Sequence, residues 1–213
     1  MPLLYHWNII GHEKELARLE QEISENNLNH AYLFAGPDKI GKNAIAKTFA
    51  GILQCENHFC HTCPTCIQIQ KGCHYDTFEM IDDGETITID RIRELIGSLA
   101  LSTQSPRKII LIQNIERLSD SAMNALLKSL EEPPRRVIFL LTTNDLKAIS
   151  DTIISRVRLY SFRLVPKNIL AQELQARYPD VEAHTLDLIF SFFLGKPGKA
   201  IELLSDPELL TRY

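Results

Sequence analysis

Gly36-Pro37-Asp38-Lys39-Ile40-Gly41-Lys42-Asn43 pairs two glycines with a lysine at the spacing of a phosphate-binding loop. Glycines let backbone N–H groups turn toward phosphate oxygens, a helix N-terminus favours the negative charge, and the lysine reaches the terminal phosphates. An apolar run, Ala31 to Ala35, precedes the loop and a helical pattern follows it, which is the context such a loop needs. The next position normally carries Ser or Thr, whose hydroxyl helps hold magnesium; here it is Asn43, whose amide oxygen is a poorer ligand. Gly36, Gly41, Lys42 and Asn43 are therefore candidates to hold ATP or ADP. The plain alternative is a loop kept for its turn, with Lys42 solvated.

Hydrolysis requires a second element, a strand ending in acidic residues that orient magnesium and the attacking water. The run Ile109 to Ile112 ends instead in Gln113-Asn114. Neither amide can act as a carboxylate base at neutral pH, and together they carry no charge to anchor a metal. Glu116, two residues on, is expected at the surface. The residues predict a loop that binds phosphate without efficient turnover.

Four of the five cysteines, Cys55, Cys60, Cys63 and Cys66, fall within twelve residues. Four thiolates at this spacing can close a tetrahedral Zn²⁺ shell with no open position, which makes the metal structural. His58 or His61 could replace one thiolate, and Cys73 is expected to be a small packed side chain beside the motif. The alternative is free thiols or disulfides, which a reducing compartment disfavours.

The elements that must position these groups alternate. Short apolar runs at Ala31 to Ala35, Phe78 to Ile81, Lys108 to Ile112 and Val137 to Thr142, and a weaker one at Val157 to Phe162, read as buried parallel strands. Periodic segments at Glu13 to Ile23, Ala44 to Leu53, Ile89 to Leu101 and Ser121 to Leu130 read as helices between them. This order predicts an α/β doubly wound parallel sheet with a zinc-binding insertion. A boundary is expected near Leu164 to Lys167, dividing residues 1–165, with the zinc module at 55–66, from a small helical domain at 166–213. Helices are expected there at Lys167 to Arg177, Val181 to Phe193 and Lys199 to Leu204.

The 213 residues are 45% hydrophobic and carry a formal net charge of -4, enough apolar content for a sizeable core and no global attraction to nucleic-acid phosphates. A stand-alone zinc-containing DNA-binding module is disfavoured on that ground. No apolar run approaches the roughly 20 residues of a bilayer span, and the N-terminus lacks a basic segment followed by a long apolar one. The expectation is a cytoplasmic protein with no membrane partner.

Several strings occur together: His30-Ala31-Tyr32-Leu33-Phe34 running into the phosphate loop, the cysteine module, Ile89-Asp90-Arg91-Ile92-Arg93, and Asn124-Ala125-Leu126-Leu127-Lys128-Ser129-Leu130-Glu131-Glu132-Pro133-Pro134. Over nearly its whole length the chain resembles the clamp-loader branch of the AAA+ ATPases, as found in bacterial DNA polymerase III. The degenerate acidic motif is similar to the delta-prime type; the gamma or tau motor type would be expected to keep the Ser/Thr and the acidic pair.

The resemblance implies more. Thr142-Thr143-Asn144 would sense the terminal phosphate, chiefly through Thr143 and Asn144. Ser155-Arg156-Val157 would present Arg156 as an arginine finger to a neighbour's nucleotide, with Arg158 as a nearby decoy. Lys199 would stand at or near the second sensor, the small helical domain would be a lid, and the collar domain of such subunits would lie outside this sequence. The implied partners are other clamp-loader subunits (gamma/tau and delta), with the sliding clamp and primed DNA reached through the assembly. The leading expectation is a non-hydrolysing delta-prime-type subunit acting in DNA replication; a gamma/tau-type motor ATPase is the alternative.

Overall fold

The computed structural model describes residues 3–99, 103–181, 189–190 and 193–205. Five strands form one parallel sheet: β1 (Ala31–Ala35), β2 (Thr77–Met80), β3 (Lys108–Ile112), β4 (Val137–Thr143) and β5 (Arg158–Ser161). Their order across the sheet is β2-β3-β4-β1-β5. The doubly wound expectation therefore holds, and each strand lies within two residues of its sequence-based range.

The three inner strands are buried on both faces, which is why their sequences are apolar without alternation. Alternate side chains nevertheless serve different layers. Tyr32, Phe34, Ile109, Leu111, Ile138 and Leu140 pack on one face against α1 (Glu13–Ser24) and α2 (Lys42–Gln54). Leu33, Ile110, Ile112, Phe139 and Leu141 face α4 (Ile89–Ser98) and α5 (Asp120–Glu131) on the other. Each fully buried side chain of this size contributes about 1.5–3 kcal/mol, so both layers are needed to fix the strand ends.

The sequence gives no periodic signal for α3 (Pro64–Gln70) or α6 (Asp151–Ile154), because both are short. Local chemistry starts α3: Pro64 occupies its first turn, and Cys63 Sγ accepts from Cys66 N at 3.4 Å. After β5 come α7 (Lys167–Arg177) and α8 (Pro197–Ser205). Ile10, Val165, Leu170, Leu174, Ala200 and Leu203 form an apolar cluster of their own there. Most of the helix expected over Val181 to Phe193 lies outside the described residues. Among the described residues no helix is long and apolar enough to cross a membrane.

Strand order decides where chemistry can occur. β1 and β2 are consecutive in sequence but separated in the sheet by β3 and β4. The loop leaving β1 therefore opens beside the carboxyl ends of β4 and β3, the crevice in which doubly wound sheets bind ligands.

Candidate functional site

The loop after β1 is pinned at its first residue. Gly36 N donates to Thr143 O at 3.2 Å, and a Cβ at Gly36 would lie 2.5 Å from Phe162 O, so only glycine fits between these strand ends. At the far end, Gly41 caps α2 with φ 107°, a conformation open to glycine and strained for other residues. Lys42 and Asn43 begin α2 and turn into a crevice of about 460 Å³, which Asp38, Asp82, Gln113, Asn114 and Asn144 help to line.

Lys42 is 4% exposed. Its Nζ donates to Pro37 O and to Asn144 Oδ1, each at 2.8 Å. Burial pushes its pKa down to about 8; the charges of Asp38 and Glu116 pull the other way, and Lys196 adds to the lowering. The lysine of the loop is thus not the solvated side chain of the plain alternative.

Asn43 fills both ends of its amide. Its Oδ1 accepts from Thr142 Oγ1 at 2.9 Å, and its Nδ2 donates to Gln113 Oε1 at 2.9 Å. Gln113 Nε2 in turn donates to Glu79 Oε1 at 3.2 Å. Asn114, in a left-handed conformation (φ 50°), donates from Nδ2 to Asp82 and accepts from Asn144 Nδ2 at 2.9 Å. Where a hydrolytic site would hold a hydroxyl and two carboxylates, Asn43 and Gln113 bond to each other, and Asn114 bonds to Asp82 and Asn144.

Glu116 differs from its expected place. It is half-buried, its Oε1 accepts from Asn144 N at 2.9 Å, and its Oε2 is buried with no hydrogen-bond partner. The single turn Ile115–Arg117 folds it back beneath the end of β4, a reversal that spacing alone does not reveal. Asp82 was likewise not singled out from the sequence. It reaches the crevice from the end of β2, where Arg117 Nε lies 3.2 Å from its Oδ1. Its nearest sequence signal is the doublet Asp82-Asp83 after an apolar run.

The remaining candidates are placed as follows. Asn144 joins Lys42, Asn114 and Glu116, whereas the Thr143 hydroxyl donates to Asp145 O at 3.1 Å and turns away from the crevice. The hydroxyl that enters the network belongs to Thr142. Lys199 Nζ lies 3.4 Å from Glu202 Oε2, and the residue lining the crevice from α8 is Gly198. Gly198 N also donates to Lys39 O at 2.8 Å, tying the start of α8 to the phosphate loop.

Arg156 follows α6 and precedes β5, at the sheet end opposite the crevice. Its Nη1 donates to Thr152 O at 2.7 Å and to Ser155 Oγ at 3.1 Å, and its Nη2 lies 2.8 Å from Glu131 Oε1. It cannot serve its own chain's phosphate loop. Arg158 is an internal partner: its Nε donates to Glu22 Oε1 at 3.0 Å, and buried Glu22 also accepts from the hydroxyls of Tyr32 and Tyr160.

The four cysteine sulfurs lie within 4.8 Å of one another, with pairs at 3.7 and 3.9 Å. A tetrahedral zinc with Zn–S bonds of about 2.3 Å needs sulfur separations of about 3.8 Å, so the donor set fits that ion. Cys55, Cys60, Cys63 and Cys66 would hold it, closing the loop between α2 and α3. The His58 ring packs at a tilt against Tyr5 and the His61 ring against Phe59, with His61 Nδ1 2.7 Å from Gln70 Nε2, so neither stands in for a thiolate. Cys73 is exposed rather than packed beside the motif, since Lys71 and Gly72 end α3 and lift it outward.

Comparison with known proteins accords with this geometry. The family described as "DNA polymerase III, delta subunit" matches residues 11–166. DNA polymerase III subunit gamma of Buchnera aphidicola (subsp. Acyrthosiphon pisum) is 36% identical over 166 residues, 76% of this chain and 46% of that protein. Subunit tau of Bacillus subtilis is 32% identical over 206 residues, 92% of this chain and 36% of that protein. Among solved structures, a gamma-subunit-related protein of Thermotoga maritima superposes with a TM-score of 0.60 at 25% identity, covering 87% of this chain and 57% of that one. The chain thus spans less than half the length of these two curated relatives, whose names fit the gamma/tau type more closely than the delta-prime type. A parallel sheet with a glycine-lysine loop at the β1 switch point, matched over residues 11–166, makes this chain a member of the DNA polymerase III delta-subunit family, in the clamp-loader branch of the AAA+ fold.

Proposed function

We infer that this chain is a delta-prime-type clamp-loader subunit that holds phosphate without hydrolysing ATP and donates Arg156 to a nucleotide bound by a neighbouring subunit. One observation carries the reading: Asn43 and Gln113, which occupy the magnesium positions, are bonded to each other at 2.9 Å and bring no charge to the metal. An arginine supplied in trans can raise phosphoryl transfer by about 10³–10⁵, so a subunit with a silent crevice can still govern turnover. A guanidinium suits this role because it stays charged and can bridge two phosphate oxygens. In this reading residues 1–165 form the nucleotide-binding-fold domain and 166–213 the lid, and the partners are gamma/tau and delta subunits, with the clamp and primed DNA reached through the assembly. Zn²⁺ holds the 55–66 loop, and the protein works in the cytoplasm.

The second reading, a gamma/tau-type motor, is favoured by the names of the relatives. It has a structural basis in Glu116, whose buried Oε2 lacks a partner, and in Asp82 at the crevice. Steady-state ATP hydrolysis separates the two. The donor reading expects no turnover by the chain alone and slowed turnover of the reconstituted assembly on Arg156→Ala. Magnesium-dependent turnover by the chain alone, lost on Glu116→Gln and indifferent to Arg156, would establish the motor.

A further inference from the structure

The opposite end of the sheet carries basic groups at the starts of three neighbouring strands. Arg107 precedes β3, Arg136 precedes β4, and His30 precedes β1. Lys108 pairs with Val137, which sets Arg107 beside Arg136, about 4.8 Å from strand to strand, whereas Ala31 pairs with Phe139, which sets His30 beside Ile138, two residues further along β4. Backbone bonds fix the alignment: Lys108 N donates to Arg136 O and Phe139 N to His30 O, each at 2.8 Å. All three residues line one groove of about 630 Å³, which Pro133 and Pro134 wall on one side.

The polar groups here are unspent. Among the described residues neither Arg107 nor Arg136 has a carboxylate partner or a side-chain hydrogen bond, although the chain as a whole is acidic. His30 Nε2 is buried without a hydrogen-bond partner. The neighbouring carboxylate, Glu22, is spent on Tyr32, Tyr160 and Arg158. Arg136 is also held at φ 63°, a conformation a non-glycine residue adopts at a cost, which fixes where its side chain leaves the strand.

We propose that this groove is a second phosphate-binding site, in which Arg107 and Arg136, with His30 beside them, receive a phosphate oxyanion at the sheet end remote from the nucleotide crevice. Two guanidiniums at the starts of adjacent strands supply forked donors, and His30 lines the groove beside them. The phosphate can come from a nucleic-acid backbone or from a free phosphate, and the test distinguishes them. The site stands whether or not the crevice hydrolyses ATP.

The experiment uses the full chain with Lys42→Ala, which silences the other phosphate site. At low salt, a short fluorescein-labelled oligothymidylate is titrated by anisotropy and inorganic pyrophosphate by calorimetry, before and after Arg107→Gln/Arg136→Gln. Arg163→Gln/Lys71→Gln removes the same charge elsewhere and serves as the control. The expected result is binding that weakens about tenfold or more in the groove variant and little in the control. For the oligonucleotide, the slope of log affinity against log salt should fall by about 0.7 per lost contact. Loss for the oligonucleotide alone identifies a phosphodiester ligand, and loss for pyrophosphate alone a free phosphate. Absence of binding to both probes, or equal weakening in the groove and control variants, overturns the proposal.

Discussion

Asn43 Nδ2 donates to Gln113 Oε1 across 2.9 Å, joining the residue after the phosphate-loop lysine to the end of β3. Gln113 Nε2 continues the chain of bonds to Glu79, whose Oε2 lies 3.0 Å from Lys47 Nζ. The crevice between α2 and the end of β3 is therefore knitted together by amides, and replacing one of them has consequences on both sides.

Gln113→Asp would set a carboxylate beside Glu79 in place of an amide donor. Like charges at this range raise a carboxyl pKa and weaken the fold when no cation is present. Thermal melting should drop by several degrees in chelator and recover with magnesium, whereas the native chain should melt alike in both. Combined with Asn43→Thr and Asn114→Glu, the substitution should bring measurable magnesium-dependent ATP turnover; equal melting with and without magnesium would show that no metal site had been built.

Lys42 titrates in the reverse sense from a salt-bridged lysine. Its pKa is held at about 8, below the unfolded value of 10.5, so the unfolded chain binds more protons between these values and stability should rise with pH through that window. The burial cost is fully present below pH 8. Lys42→Met should raise stability at pH 7 by about 1–3 kcal/mol and flatten the rise, read from urea unfolding at a series of pH values. Phosphate affinity of the native chain should fall as pH passes 8.

Cysteine ligation should stabilise one loop rather than the whole fold. Chelation or Cys60→Ser should abolish one bound zinc per chain and lower the melting temperature by roughly 4–8 °C, the equivalent of about 2 kcal/mol in a chain of this size. Gly51→Ala tests the same loop from the helix side, because its added Cβ would overlap the Phe59 ring. Overpacking of this kind costs about 1–3 kcal/mol and should weaken zinc retention, measured by competition with a chromogenic chelator.

The two arginines two residues apart should separate cleanly. Glu22→Ala strips the buried hydroxyls of Tyr32 and Tyr160 of their acceptor and should cost at least about 2 kcal/mol. Arg158→Ala should lower stability modestly and leave turnover of a reconstituted clamp loader unchanged. Arg156→Ala, whose ion pair with half-exposed Glu131 contributes little, should leave the melting temperature within a degree or two while slowing that turnover. The reverse assignment would place the functional arginine at 158.

By itself the sequence determined the parallel sheet, because strands buried on both faces must be apolar throughout, as Ile109 to Leu111 and Ile138 to Leu141 are. It also determined the glycine-lysine turn between β1 and α2 and the four-cysteine cluster, whose partners are local and whose spacing carries the geometry. Tertiary structure decided what depends on strands distant in the chain. Thr142 rather than Thr143 turns its hydroxyl to Asn43, because the strand pleat and the Gly36–Thr143 backbone bond fix which residue faces α2. Glu116 folds inward and Arg158 is spent on Glu22, 136 residues away in sequence. Asp82 reaches the crevice because strand order brings β2 close to the ends of β3 and β4. Spacing encodes neighbours along the chain; a side chain's partner across the sheet is set by strand order and register, which only packing of the whole molecule fixes.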